Sequence, residues 1–158
     1  MNMLHRKPFI FFAPCFDEVI FIKQSFLTSV SGLTEDSHNH CEVYNPINDT
    51  WKPFASPKVQ RTNHSLISSS SFIYAIGGEG PAGFEPVISM EKYDPSNDTW
   101  CFAPPMRVGK SGTCAVEVDK KIYVIGGSTG HNVLNSCDVF DNVTQEWNEL
   151  QGEHKSGH

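Results

Sequence analysis

Two stretches decide the fold: SFIYAIGG at 71–78 and KKIYVIGG at 120–127. Each is a short apolar run in which aliphatic and aromatic residues occupy successive positions, leaving no polar strand face, so each reads as a strand sandwiched between two neighbouring layers. The closing Gly-Gly marks a strand end where backbone approaches backbone closely. Working outward, the doublets begin at Gly77 and Gly126, each at an identical remove from the preceding tryptophan, Trp51 or Trp100. A third tryptophan, Trp147, keeps the beat, since successive tryptophans are almost evenly spaced. Seven positions before each stands an aromatic residue: Tyr44, Tyr93 and Phe140. Three fixed points per unit of about fifty residues make an internal repeat.

The segments leading into the tryptophans, CEVYNPINDTW (41–51), MEKYDPSNDTW (90–100) and CDVFDNVTQEW (137–147), read as strand, turn, strand, because Asn-Pro, Asp-Pro and Asp-Asn favour turns. Ahead of each doublet lies a further β-like run, HSLISS (64–69) or GTCAVEV (112–118), which makes four strands per copy. Helical periodicity is absent.

A four-stranded unit of this length, with Gly-Gly, Tyr and Trp at these offsets, resembles the kelch repeat, one blade of a β-propeller. The expected fold is all-β: a partial kelch propeller of about three four-stranded blades, not closed by this chain alone. The expected divisions are an unassigned segment at 1–16, a degenerate blade at 17–54, blades at 55–104 and 105–150, and a polar tail at 151–158. The first blade is degenerate because SFLTSVSG (25–32) puts Ser31 at the first glycine and Thr28 at the tyrosine. The resemblance implies that Gly77, Gly78, Gly126 and Gly127 end second strands near a central channel. It also implies that Trp51, Trp100 and Trp147 pack between blades. Three blades leave sheet faces uncovered, because propellers close with about 4–8. The isolated chain is therefore expected to associate, aggregate or fold poorly.

The 158 residues carry 18 acids against 12 bases, a formal charge of -6, which gives no electrostatic footprint for nucleic acid or an anionic membrane. A mildly basic partner surface fits better. Five cysteines with no Cys-x-x-Cys pair suggest neither a disulfide framework nor a zinc knuckle, so a reducing, cytoplasmic setting is expected. Basic residues precede an apolar run near the N-terminus, but Pro8 and Pro14 confine it to Phe9–Ala13, too short for a signal peptide. Asp17, Glu18 and Lys23 interrupt the only region approaching the ~20 apolar residues of a membrane helix. The Asn-x-Ser/Thr triplets at Asn48, Asn63, Asn97 and Asn142 fall mostly in one hairpin turn, where Asn and Thr serve the turn itself.

The stretch from doublet to tryptophan differs in length among the copies and is longest between Gly78 and Trp100, while the other spacings hold. Length variation is thus confined to the loop between second and third strands, and variable loops on one face are where binding concentrates. Those loops are 33–40, 79–89 and 128–136. Phe84, flanked by Pro81 and Pro86, is a candidate aromatic anchor; folding back onto its own blade is the alternative. His131 and Asn132 are the polar candidates of the third loop. Arg61 and Lys110 stand at one shared offset before Gly77 and Gly126, in connections that reach the same face in the family. Basic residues there contact acidic peptides in Kelch-like substrate receptors, so the resemblance makes both candidates; ordinary solvated charge is the alternative.

Some kelch propellers are enzymes, including copper oxidases and sugar epimerases. Here Tyr44 and Tyr93 share one repeat position and Tyr74 and Tyr123 another, so structural duty accounts for every tyrosine. His38, His40 and Cys41 resemble a ligand cluster, but Cys41 occupies the strand position of Met90 and Cys137. No catalytic residue, metal or cofactor is expected. The resemblance implies a protein-interaction module like the kelch region of Kelch-like proteins, whose members join a BTB domain to a cullin-type ubiquitin ligase. No BTB or BACK helices precede these repeats, so the chain is expected to be a fragment or short isoform, reaching a cullin only through domains it lacks. A cytoskeletal, actin-associated kelch protein is the alternative, and an enzyme the more distant one.

Overall fold

The structure, a computed structural model, describes residues 18–23, 26–31, 41–45, 49–81 and 85–150, with backbone alone at 18–23, 26–31 and 44–45. It is all-β among these residues. The first sheet comprises β1 (Glu18–Lys23), β2 (Phe26–Ser31), β3 (Cys41–Asn45) and β4 (Thr50–Pro53). β5 (Ser65–Ser69), β6 (Phe72–Ile76), β7 (Met90–Asp94) and β8 (Thr99–Ala103) make the second. The third contains β9 (Cys114–Val118), β10 (Lys121–Ile125), β13 (Cys137–Asp141) and β14 (Glu146–Leu150). Between β10 and β13 a short ladder, β11 (Ser128–Thr129) with β12 (Asn132–Val133), stands where a plain loop was expected.

Each large sheet is an antiparallel meander with its strands in chain order, which is one blade. β1 lies against β5 and β5 against β9, so the first strand of each blade is innermost and the blades fan about a common axis. The constant aromatic-to-tryptophan spacing has its cause in the outer hairpin, whose register sets Tyr44 opposite Trp51, Tyr93 opposite Trp100 and Phe140 opposite Trp147. In the second and third blades these rings pair at centroid distances of 5.2 and 5.1 Å, tilted as aromatic quadrupoles prefer. The hairpins turn through left-handed backbone at Asp49, Asp98 and Gln145, with φ of 53, 53 and 61°. Asp94 and Asp141 brace two of these turns by accepting backbone N–H bonds from Ser96 and from Val143 and Thr144.

Two apolar layers lie between the blades. Cys41, Phe54 and Ala55 meet Leu66, Ile73, Ala75, Tyr93 and Trp100 between the first and second. Between the second and third, the outward face of one, Ile67, Tyr74, Ile76 and Met90, meets Ala115, Ile122, Val124, Phe140 and Trp147 of the other, with Met106 between. Trp100 and Trp147 are each fixed by an indole N–H that donates to the incoming connection of its own blade, to Ala55 O at 2.6 Å and Pro104 O at 2.8 Å. Burying an indole and satisfying its donor makes a blade-to-blade anchor; deleting one such ring costs about 3–5 kcal/mol.

Two expectations need correction. Trp51 is 47 % exposed, whereas Trp100 and Trp147 are buried between blades. β10 is buried on one face only, since Ile125 is 46 % exposed where its counterpart Ile76 is fully buried. The worn first copy nevertheless forms a four-stranded sheet, because backbone pairing tolerates Ser31 and Thr28 where packing positions do not.

Candidate interaction face

The connections between blades and the loops after the second strands are joined by hydrogen bonds at one rim. Within the second blade, Thr62 N–H and Glu79 N–H exchange bonds with each other's carbonyls at 2.9 and 2.8 Å. Ser111 and Ser128 repeat this exchange in the third blade at 3.0 and 2.9 Å. Neighbouring blades are stitched as well: Gly78 N–H donates to Lys110 O and Gly112 N–H to Asn63 O, both at 2.8 Å. The second glycine of each doublet is required by this crowding. A Cβ on Gly78 would sit 2.5 Å from Thr62 O, and one on Gly127 would sit 2.7 Å from Ser111 O, at φ of 96 and 89°.

The loop of the second blade closes at its base, where Val87 N–H donates to Gly78 O at 2.8 Å and Glu79 bridges Pro86. Glu85 is exposed, and Phe84 lies outside the described residues. In the third blade the β11–β12 turn, with Gly130 at φ 77°, lifts His131, Asn132 and Val133 into solvent, and Val133 is 88 % exposed. The connections and variable loops thus share one face, with Glu79, Glu85, Asn63, His131 and Asn132 along it.

Arg61 and Lys110 are not solvated charges on that face: each is 3 % exposed and ion-paired beneath it. Arg61 Nη2 donates to Glu91 Oε2 at 2.7 Å and to Ser89 Oγ at 3.0 Å, while Nη1 donates to Gly77 O and Ser89 O, both at 2.9 Å. Glu91, itself fully buried, also accepts the backbone N–H groups of Lys58 and Val59, at 2.6 and 3.1 Å. Lys110 repeats the arrangement, with Nζ 2.7 Å from Asp138 Oδ2 and donating to Ser136 Oγ at 2.8 Å. Burial lowers the Arg61 pKa while Glu91 opposes the shift. Paired and desolvated, these cations hold the connection against the third strand and are withdrawn from any partner. The partners were legible as a recurrence in the second and third copies: an acid two before Tyr93 and Phe140, Glu91 and Asp138, and a serine four before, Ser89 and Ser136.

His64, beneath the same rim, is 7 % exposed, and neither ring nitrogen makes a hydrogen bond of good geometry among the described residues. Burial, then the nearby Arg61 cation, push its pKa down to about 4, so it is neutral near pH 7. Cys41 is a buried thiol pushed up to about 12 by burial, which suits packing and not thiolate ligation. His38 and His40 lie outside the described residues, and no metal-binding cluster occurs among those described. Tyr93 donates to Asp98 Oδ1 at 2.8 Å and is raised by burial, and Asp98 accepts Ala55 N–H at 2.8 Å as well. Both tyrosine and aspartate are engaged in holding the connection to the hairpin. Of the sequon asparagines, Asn97 braces Asp94 at 3.3 Å and Asn142 donates to Ser69 Oγ of the preceding blade at 2.5 Å.

The kelch motif matches residues 60–107 and 109–152, more than half of the chain and in register with the second and third blades. The chain belongs to the kelch-repeat family. Among solved structures, a protein titled YjhT superposes on 88 % of this kelch chain with a TM-score of 0.75 at 17 % identity, a likeness of fold. The superposition takes in 52 % of that protein, so this chain spans about half its length. No curated protein matches in sequence. No helix among the described residues is long and apolar enough to cross a membrane.

Proposed function

We propose that the chain is a non-catalytic protein–protein interaction module, using the rim of connections and second-to-third-strand loops as its contact face. The observation that supports this most is the division of labour at that rim: the backbone is locked by exchanged hydrogen bonds while the loop tips carry exposed, variable residues. With Arg61 and Lys110 withdrawn into ion pairs, Glu79 and Glu85 make the described rim of the second blade acidic, which favours a basic partner segment. The finer reading is substrate recognition for a Kelch-like ubiquitin-ligase adaptor in the cytoplasm, with any cullin contact made by other domains. Actin association is the second reading, carried by the same face. The test is quantitative binding to candidate partners with the 80–85 and 129–133 tips replaced by Gly-Ser. Loss of binding with unchanged thermal stability is expected; binding indifferent to both replacements overturns the assignment of the face.

A further inference from the structure

We infer that the seam where the second blade's loop lies against the connection into the third blade is a subsite for a partner segment in which an apolar side chain stands near a lysine or arginine. The inference rests on the rim being the contact face, and it names what that face takes. Two departures from the repeat meet at this seam. Two residues before the third strand the other copies carry asparagine, Asn39 and Asn135, where the second carries Ile88. Just before the buried cation, the connection into the second blade has Gln60, where the connection into the third has Gly109.

Gly109 is what lets the longer loop lie down. A Cβ there would collide with Pro86 O, so the connection passes directly against the base of the loop. Met106 N–H donates to Ile88 O at 3.0 Å and fixes the two segments side by side. Met106 is itself buried between the blades, whereas Ile88 and Val108 are 47 and 50 % exposed. The blade does not require Ile88, since the repeat places asparagine there. Two stiff β-branched side chains thus border a seam that is already held by backbone, and covering them asks for no rearrangement.

The charge beside the seam fixes the occupant. Glu85 precedes Pro86 and is exposed, and Glu79 bridges Pro86 from the other side of the loop. The cations of the connection are committed elsewhere, Lys110 to Asp138 and Arg107 to Trp147 O at 3.1 Å. An extended peptide rises about 3.3 Å per residue, so an apolar residue on Ile88 and Val108 would bring a cation roughly two to three positions away to these acids. An acidic segment would meet them with like charge.

Fluorescence anisotropy with short labelled Gly-Ser peptides tests this on the 158-residue chain. One peptide carries leucine with lysine two residues on; the controls replace the leucine by serine or the lysine by glutamate. The leucine–lysine peptide should bind most tightly. Ile88→Asn, which restores the residue of the other copies, and Val108→Thr should each weaken it about tenfold with an unchanged melting curve. Glu85→Lys should abolish the preference for lysine over glutamate. Equal binding of the three peptides, or an Ile88→Asn chain that binds the first as tightly as wild type, overturns the inference. If Ile88→Asn is without effect while replacing 129–133 abolishes binding, the rim stands as the contact face and the seam falls; if neither change matters, both fall. A concentration-dependent mass in sedimentation that Ile88→Asn removes would give the seam to a second copy of the chain and overturn the inference as well.

Discussion

The second and third blades carry one motif in two environments. Around Gly77 the second blade is closed over: the carbonyl of Lys110, from the following connection, fills the space a Cβ would need. At the equivalent Gly126 the nearest atom to such a Cβ is Leu134 O at 3.6 Å. The same contrast runs through the ion pairs. Arg61 uses a planar fork to hold Glu91, Ser89 and Gly77 together, whereas Lys110 places a point charge between Asp138 and Ser136. The repeat therefore specifies where a cation and an acid meet, while the neighbouring blade and the cation's shape decide how much the meeting holds.

Breaking the ion pairs should separate the blades most. Glu91→Ala leaves the Arg61 guanidinium buried without a counter-charge and three donors short of an acceptor, and should cost about 3–5 kcal/mol in urea unfolding. Asp138→Ala, at a pair whose acid is 12 % exposed, should cost about 1–3 kcal/mol. Equal losses would mean that the fork adds nothing.

Acid should act on the second blade through His64, for which the third blade has Thr113. The folded-state pKa of about 4 lies below the ordinary 6.5, so the unfolded chain binds the proton more readily. Stability is thus full above about 6.5 and falls as the pH drops towards 4, by up to about 3 kcal/mol. His64→Thr should abolish that part of the slope in melts recorded across this range.

Gly77→Ala and Gly126→Ala share a strained positive φ, worth about 1–2 kcal/mol each. Gly77→Ala must in addition displace the Lys110 carbonyl, and the difference between the two melts should be about 1–3 kcal/mol. Smallest of all, Val133→Ser at the exposed β11–β12 turn should change stability by less than about 0.5 kcal/mol, as read from the same unfolding curves.

The blade register was legible because backbone geometry imposes it: a hairpin that sets Tyr93 opposite Trp100 must keep their separation fixed, whatever the loop beyond does. Gly78 and Gly127 were legible for the same reason, since their close approach to Thr62 and Ser111 leaves no room for a side chain. Arg61 and Lys110 were misread because a charged residue in a connecting segment looks solvated until its partner is known. Those partners, Glu91 and Asp138, belong to the third strand of each blade, remote in the chain and brought near by the sheet. The recurrence of acid and serine before Tyr93 and Phe140 held that information. The half-open β10 was foreseen in the blade count but not in its own sequence, because apolarity records that a face is meant to be covered, not whether it is.

The closed base of the second blade's loop has a practical corollary. Because Val87 bonds back to Gly78 and Glu79 bridges Pro86, the chain enters and leaves that tip at one point of the rim. A foreign peptide spliced between Glu79 and Pro86 would be displayed as a tethered epitope, its two ends anchored side by side, without asking the underlying strands to change register.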